Sequence, residues 1–399
     1  MAAPLEGIRV LDLTNVLAGP FCCYQLAQCG AEVIKVEMPG QGDLARQLGA
    51  DPDLNRRMMG ASFLAQNAGK RSITLDLKNP SGHAVFERLV ATADVVVENF
   101  RPGVMRRLGL GADHLRTIRP SLVYCAISGF GQDGPLAGNP AYDQIIQGMA
   151  GVMSVTGDAS SAPLRVGYPV ADTMGGITAA FAISAALVRA RATGEGETID
   201  VSMLESTLVA MGWAVSNWLI AGKMAEPMGN ENMTAAPSGT FRTGDGLLNI
   251  AANRQSQFET AVPPDRPRGA HRPRRLPTAR TGNAIGVLRK RIEEGLEAKS
   301  ASEWSSILNT AGVPAGEVLS VADILEHPQV RERGLVRRFE RVEAAERDVE
   351  VVRAGFRLQS GDPAPANPPP PLGAHTHDIL SELGYTAEEI ETLRGEGAT

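Results

Sequence analysis

Among the residues of this sequence whose types and spacing could do chemistry, Asp172 stands first. It follows the short stretch 166–171 and precedes Thr173-Met174-Gly175-Gly176, where glycines let a ligand or a second backbone come close. Two roles fit such an acid. As a helix N-cap it would accept hydrogen bonds from the next turn. As a carboxylate nucleophile at a helix N-terminus it would attack a carbonyl, with the free N–H groups of that helix stabilising the oxyanion. The residues alone leave both open.

Other positions carry weaker signals. Asn99-Phe100 comes just after the apolar run Val95-Val96-Val97, and ligands of open α/β sheets bind at the C-terminal ends of strands. Lys70-Arg71, Lys78 and Arg107 lie near predicted strand or helix ends, where they are solvated charges or anion contacts. His375-Thr376-His377 has no third ligand nearby and no i, i+4 spacing, so no metal site is expected. There is no G-x-S-x-G, and Ser128-Gly129-Phe130-Gly131 does not reproduce a nucleophile elbow. Cys22, Cys23, Cys29 and Cys125 form no CxxC pair and read as buried small residues.

The elements that would position these groups alternate in type. Strands are predicted at 8–13, 32–36, 72–75, 95–98 and 122–128, with helices at 20–28 and 81–93 between them, the pattern of a parallel sheet with crossover helices. The turn Thr14-Asn15-Val16-Leu17-Ala18-Gly19-Pro20 lacks G-x-G-x-x-G, so a dinucleotide pyrophosphate would lack its usual backbone cradle. Glu37, at the end of the second strand, is only a weak ribose-binding candidate without those glycines. Further on, 177–191 reads as a buried apolar helix, 198–203 as a strand and 204–219 as another core helix. The texture changes near residue 222, which predicts a domain boundary there. Residues 261–281 hold six arginines and five prolines without periodicity, an expected irregular loop. A Pro-rich strap at 363–371 precedes a terminal helix pair.

With 399 residues, 43% hydrophobic and 21% charged, the composition is that of a soluble globular protein of two or so domains. A formal net charge of -6 argues against a nucleic-acid partner, which calls for a basic surface. The apolar stretch 178–188 is short for a bilayer crossing, and the N-terminus has no signal-peptide pattern. A cytoplasmic enzyme without a membrane partner is expected.

The runs Pro4-Leu5-Glu6-Gly7-Ile8-Arg9-Val10-Leu11-Asp12-Leu13 and Gly30-Ala31-Glu32-Val33-Ile34-Lys35-Val36-Glu37 resemble family III CoA transferases, the group of formyl-CoA transferase, carnitine CoA-transferase and α-methylacyl-CoA racemase. Asn67-Ala68-Gly69-Lys70-Arg71-Ser72-Ile73, Val95-Val96-Val97-Glu98-Asn99-Phe100-Arg101-Pro102-Gly103 and Gly312-Val313-Pro314-Ala315-Gly316 are similar to further blocks of that group, in the same order. Only 261–281 departs over a long stretch, where the family has an amphipathic helix. A local double frameshift would produce that switch, and resequencing the gene tests it.

The resemblance implies an α/β fold: a Rossmann-like large domain with a parallel sheet (1–222), a smaller α/β domain (223–330) and a return to the large domain (331–399), in an interlocked homodimer. It implies Asp172 as the nucleophile, no tightly bound cofactor, and coenzyme A as co-substrate alongside an acyl-CoA donor and a small carboxylic acid. Positions matching the family's CoA contacts are Val16, Leu75, Lys78, Asn99, Phe100 and Arg107. Met38 and Pro140 stand where some members carry basic residues. Tyr142 occupies the place of the racemases' histidine. A phenol with an ordinary pKa of about 10 is a poor α-proton base, which favours acyl transfer, with Tyr142 as a hydrogen-bonding partner. Formyl-CoA transferases carry glutamine at the position of Leu17, so a C4 or C5 dicarboxylate is expected over formate or oxalate. Arg165 is a candidate clamp for a distal carboxylate.

Overall fold

The computed structural model describes residues 3–231, 237–254, 256–257, 260 and 282–399. The irregular loop expected at 261–281 lies outside the described residues. The chain divides into two compact units, one made of Met1–Val152, Arg165–Met224 and Arg331–Thr399, the other of Met153–Leu164 and Ala225–Val330. The short excursion Met153–Leu164 departs from the expected first-domain boundary, which kept all of 1–222 together.

In the first unit six strands, β1 (Arg9–Asp12), β2 (Glu32–Glu37), β3 (Lys70–Thr74), β4 (Val95–Glu98), β5 (Val123–Ser128) and β6 (Glu197–Ser202), form one sheet in the order β3-β2-β1-β4-β5-β6. Every neighbouring pair is parallel. A parallel sheet is covered on both faces, so its strands read as continuous β-branched runs. Val95 and Val97 therefore enter one core and Val96 the other.

Helices α1 (Ala18–Gln28) and α2 (Pro80–Thr92) follow β1 and β3. Asn79 caps α2 by accepting from the Ser81 amide at 2.9 Å, and Pro80 fills its first turn, where a missing N–H costs nothing. Further on come α3 (Asp143–Met149), α4 (Val170–Thr193), α5 (Met203–Ala210) and α6 (Trp213–Ala221).

Helix α4 runs 24 residues and is, by length and composition, apolar enough to cross a bilayer, longer than the sequence pattern predicts. It is packed as a crossover helix instead, burying Ala171, Gly175, Gly176, Ala179, Ile183 and Leu187 with residues of α1 and the sheet. Gly176 sits so close that a Cβ would lie 2.6 Å from the Ala18 carbonyl oxygen. The opposite face leaves Phe181 74% and Val188 72% exposed. The predicted core helix at 204–219 is broken into α5 and α6 at Gly212, whose φ of 49° and ψ of -106° suit glycine alone. No residue of α6 is buried.

The second unit holds an antiparallel sheet of β7 (Ser238–Arg242), β8 (Leu247–Ala251) and β9 (Ala315–Glu317), with α7 (Gly282–Leu296) and α8 (Ala301–Thr310). Phe241, Leu248, Ile250, Ile292, Leu308 and Val313 form its core. After residue 331 the chain adds the hairpin β10 (Val336–Val342) and β11 (Arg347–Val352) to the first unit, then helices α9 (Thr376–Glu382) and α10 (Ala387–Gly395), which enter the core with Ile379, Leu380 and Ile390. The proline strap is tied down where Pro370 accepts from Arg46 at 3.2 Å and Asn367 from the Gly69 amide at 2.8 Å.

Candidate active site

Chain order reverses in the sheet between β1 and β4, and the crevice beyond the carboxyl ends of two such strands is where open α/β sheets take ligands. A cavity of about 270 Å³ lies there, lined among others by Val16, Leu17, Asn99, Arg101, Tyr142 and Asp172.

The loop after β1 is held residue by residue. Asp12 Oδ1 accepts from the Thr14 amide at 2.9 Å and its hydroxyl at 2.5 Å, while Lys35 Nζ donates to the Thr14 carbonyl at 2.8 Å. Asn99 bridges from the end of β4, its Oδ1 accepting from the Asn15 amide and its Nδ2 donating to the Asn15 carbonyl, both at 2.8 Å. Asp43 Oδ1 accepts from the Val16 amide at 2.9 Å, and Val16 is held at φ 68°. A β-branched residue in that region is strained, a condition that persists only where surrounding contacts enforce it.

Beneath the loop is a buried charge network. Lys70 Nζ meets Asp12 Oδ2 at 2.8 Å and also donates to Pro20 and Asn67, and Lys35 meets Asp43 at 3.0 Å. Burial by itself would raise the Asp12 carboxyl, but Lys35 and Lys70 reverse that and hold it far below the usual carboxylate range. Lys70 is thus a core residue, contrary to a surface reading. Glu37 is occupied by Arg46 at 2.7 Å and by the Ser72 hydroxyl at 2.7 Å, which removes it as a ribose ligand. Glu98 fixes the other loop by accepting from the Phe100 amide at 2.7 Å. Burial pushes its carboxyl up to about 7, against the opposing hydrogen bonds from Phe100 and Tyr124.

Asp172 is the third residue of α4, whose N-cap is Pro169, so it does not cap its own helix. The first-turn amides are all engaged: Val170 donates to Tyr168 at 2.8 Å, Thr173 to Pro169 at 3.0 Å, and Ala171 and Asp172 to Asp143 Oδ1 at 2.9 and 3.4 Å. The oxyanion donors expected from this helix are therefore spoken for. Burial, and then the negative charge of Asp143, push the Asp172 carboxyl up to about 7. A second helix end opens on the same cavity: Leu17 and Ala18 line it, and the N-cap Leu17 brings no side-chain acceptor to the first turn of α1.

Of the residues singled out in the sequence, Val16, Asn99, Phe100, Tyr142 and Asp172 line one cavity. Lys78, Arg107 and Arg165 are exposed and are not among its described lining residues. Leu75 is 2% exposed and belongs to the core, so its side chain has no face to offer a ligand. His375 Nδ1 accepts from the Ser72 amide at 3.2 Å, and among the described residues no group of three or more His, Cys, Asp or Glu is arranged for a metal. Residues that the sequence left unassigned are Arg101, Asn15, Asp43 and Asp143. Arg101 had a signal in its place two residues after Asn99, whereas Asp43 lies in a loop with no pattern of its own.

The family model described as CoA-transferase family III matches residues 5–376. The chain belongs to that family. It is a CoA transferase, 36% identical over 396 residues to succinyl-CoA:glutarate CoA-transferase of Mus musculus, covering 98% of this chain and 89% of that one. Acetyl-CoA:oxalate CoA-transferase of Acetobacter aceti is 38% identical over 84% of this transferase and 85% of its own length. A crystal structure of a CAIB/BAIF family protein from Brucella suis superposes with a TM-score of 0.80 at 32% identity, covering 96% of this transferase and all of that chain.

Proposed function

We propose that this transferase moves CoA from an acyl-CoA donor, with succinyl-CoA the leading candidate, to a small dicarboxylic acid through covalent intermediates on Asp172. Asp172 attacks the thioester carbonyl, and collapse of the tetrahedral oxyanion expels CoA thiolate and leaves a mixed anhydride. The thiolate then attacks the aspartyl carbonyl, releasing the donor acid and forming an aspartyl-CoA thioester. The acceptor carboxylate attacks that thioester, and the freed thiolate takes the acceptor's acyl group, returning Asp172 as carboxylate. In both intermediates the Asp172 carboxyl is held as an activated acyl derivative, an anhydride and then a thioester, so the energy of the donor thioester is kept for the acceptor. The observation that carries this reading is an Asp172 carboxyl in a cavity at the switch point, raised to about 7. A more basic carboxylate is a better nucleophile, and perturbed acids mark functional sites.

The first turn of α1 supplies oxyanion donors in this reading, since its amides lack a side-chain cap. Val16, Asn99 and Phe100 contact CoA, and the exposed Lys78 and Arg107 take its phosphates. Tyr142, 67% exposed, hydrogen-bonds the reacting carboxylates. Arg101 replaces Arg165 as the clamp for a distal carboxylate, because it alone of the described lining residues is cationic. The succinyl and glutarate named for the mouse relative support a C4 donor and a C5 acceptor. The Acetobacter relative's name makes oxalate the second acceptor to test.

The working unit in this reading is a homodimer. Trp213, Leu219 and Ile220 of α6 are 73, 75 and 86% exposed, and an apolar patch of that kind marks a partner surface.

The experiment mixes purified protein with succinyl-CoA and a panel of carboxylic acids. Formation of the acceptor's CoA ester, lost in Asp172→Ala while CoA still binds, is the expected result. Turnover in Asp172→Ala, or α-deuterium exchange without transfer, overturns the proposal.

A further inference from the structure

Asp143 is nearly buried, 8% exposed, and lies 29 residues before Asp172. Its Oδ1 accepts from the amides of Ala171 and Asp172, and its Oδ2 accepts from Gln147 Nε2 at 2.7 Å. Gln147, fully buried, is itself tied to the segment leading into α4, with Oε1 accepting from the Val166 amide at 2.8 Å and Nε2 donating to the Tyr168 carbonyl at 3.3 Å. One carboxylate and one amide on α3 thus bind the first turn of α4 and the chain that enters it.

The placement matters because a helix N-terminus stabilises anions. An aspartate in the first turn with open amides would be a quiet, well-solvated carboxylate. Here the amides of Ala171 and Asp172 are given to another anion. We infer that Asp143 is a positioning residue for CoA transfer: by capping α4 in place of a residue of α4 itself, it fixes the Asp172 backbone and withholds from the Asp172 carboxylate the donors that would blunt its nucleophilicity. The inference rests on the assignment of Asp172 as nucleophile. Charged and titratable groups on the elements around α4 are Asp143 on α3 with Tyr142 beside it, Cys22, Cys23 and Tyr24 on α1, Tyr124 and Cys125 on β5, Glu197 and Asp200 on β6, Glu205 on α5, and Arg101 after β4. The Asp172 carboxyl is raised by burial first and then by the charge of Asp143.

Asp143→Asn is the test, because its side-chain carbonyl still accepts from the two amides while the charge is gone. The account expects the acid limb of the kcat/KM profile to move down by about one pH unit, a roughly tenfold gain in ionised fraction below both limbs, with lower kcat on the alkaline plateau. Gln147→Met leaves both carboxylates and releases Asp143 Oδ2; lower kcat with unchanged donor KM is expected. Circular dichroism and CoA binding verify the fold of each. An unmoved acid limb in folded Asp143→Asn, or wild-type kcat in folded Gln147→Met if the first variant does not fold, overturns the inference. Transfer surviving in Asp172→Ala would instead sink the nucleophile assignment, so the two failures are distinguishable.

Discussion

The side-chain amide of Asn99 grips the backbone of Asn15 at both ends, accepting from its N–H and donating to its carbonyl, each at 2.8 Å. The two residues are 84 positions apart and close the ends of neighbouring strands β1 and β4 into one rim. Replacing Asn99 by Ala removes both bonds at a half-buried site and should cost about 1–3 kcal/mol of stability. The loop that shapes the cavity would loosen with it. Expected in steady-state kinetics is a raised KM for the CoA donor and a lowered kcat, whereas an unchanged KM would show that the rim does not shape the donor site.

Lys70 joins three chain segments at once through Asp12, Pro20 and Asn67. Lys70→Met leaves the buried Asp12 carboxylate with its Thr14 hydrogen bonds and, as its described cation, Lys35 at 4.0 Å. Breaking a buried pair on one side costs on the order of 3–5 kcal/mol. Urea denaturation should show that loss near neutral pH. Because the Asp12 carboxyl is depressed in the folded protein, its contribution is present above the unfolded value near 4 and is lost as pH falls.

Asp172 has the opposite sign. Its folded carboxyl is raised to about 7, above an unfolded value near 3.9, so ionising it opposes folding. That penalty begins near pH 4, grows until pH 7 and is then constant. Asp172→Asn should therefore melt at a higher temperature than the wild type at pH 8, with the gap closing toward pH 4. A gap of the same size at both pH values would contradict the raised carboxyl.

Arg101 is the cation of the cavity's described lining. Arg101→Ala should raise the KM for a dicarboxylic acceptor by roughly 10-fold or more, in line with the loss of a charge-assisted bond, and change that for a monocarboxylic acid far less. Equal effects on both acids would assign Arg101 to CoA instead.

The parallel sheet is legible in the sequence because β4 and β5 are buried on both faces and read as unbroken apolar runs. Asn99 and Phe100 are legible through the rule that ligands gather at strand ends. Other features are not local and leave no trace in spacing. Asp43 serves Val16 from 27 residues away and Asp143 serves Ala171 from 28. Lys70 looks like a surface charge until Asp12 comes to meet it. Helix α6 is as apolar as a core helix and yet has no buried residue, since hydrophobicity tells that a face is to be covered and not by what. Asp172 kept two readings in the sequence because capping and catalysis both want an acid near a helix start. Its place in the third position of α4, with the capping done by Asp143, sets the capping role aside.

Mass spectrometry of the protein after donor addition tests the central claim most directly. Incubation with succinyl-CoA alone, followed by hydroxylamine and proteolysis, should yield a hydroxamate on the peptide carrying Asp172, and none in Asp172→Ala. A protein that turns over while that peptide stays unmodified, or that carries the label on another residue, would contradict the account.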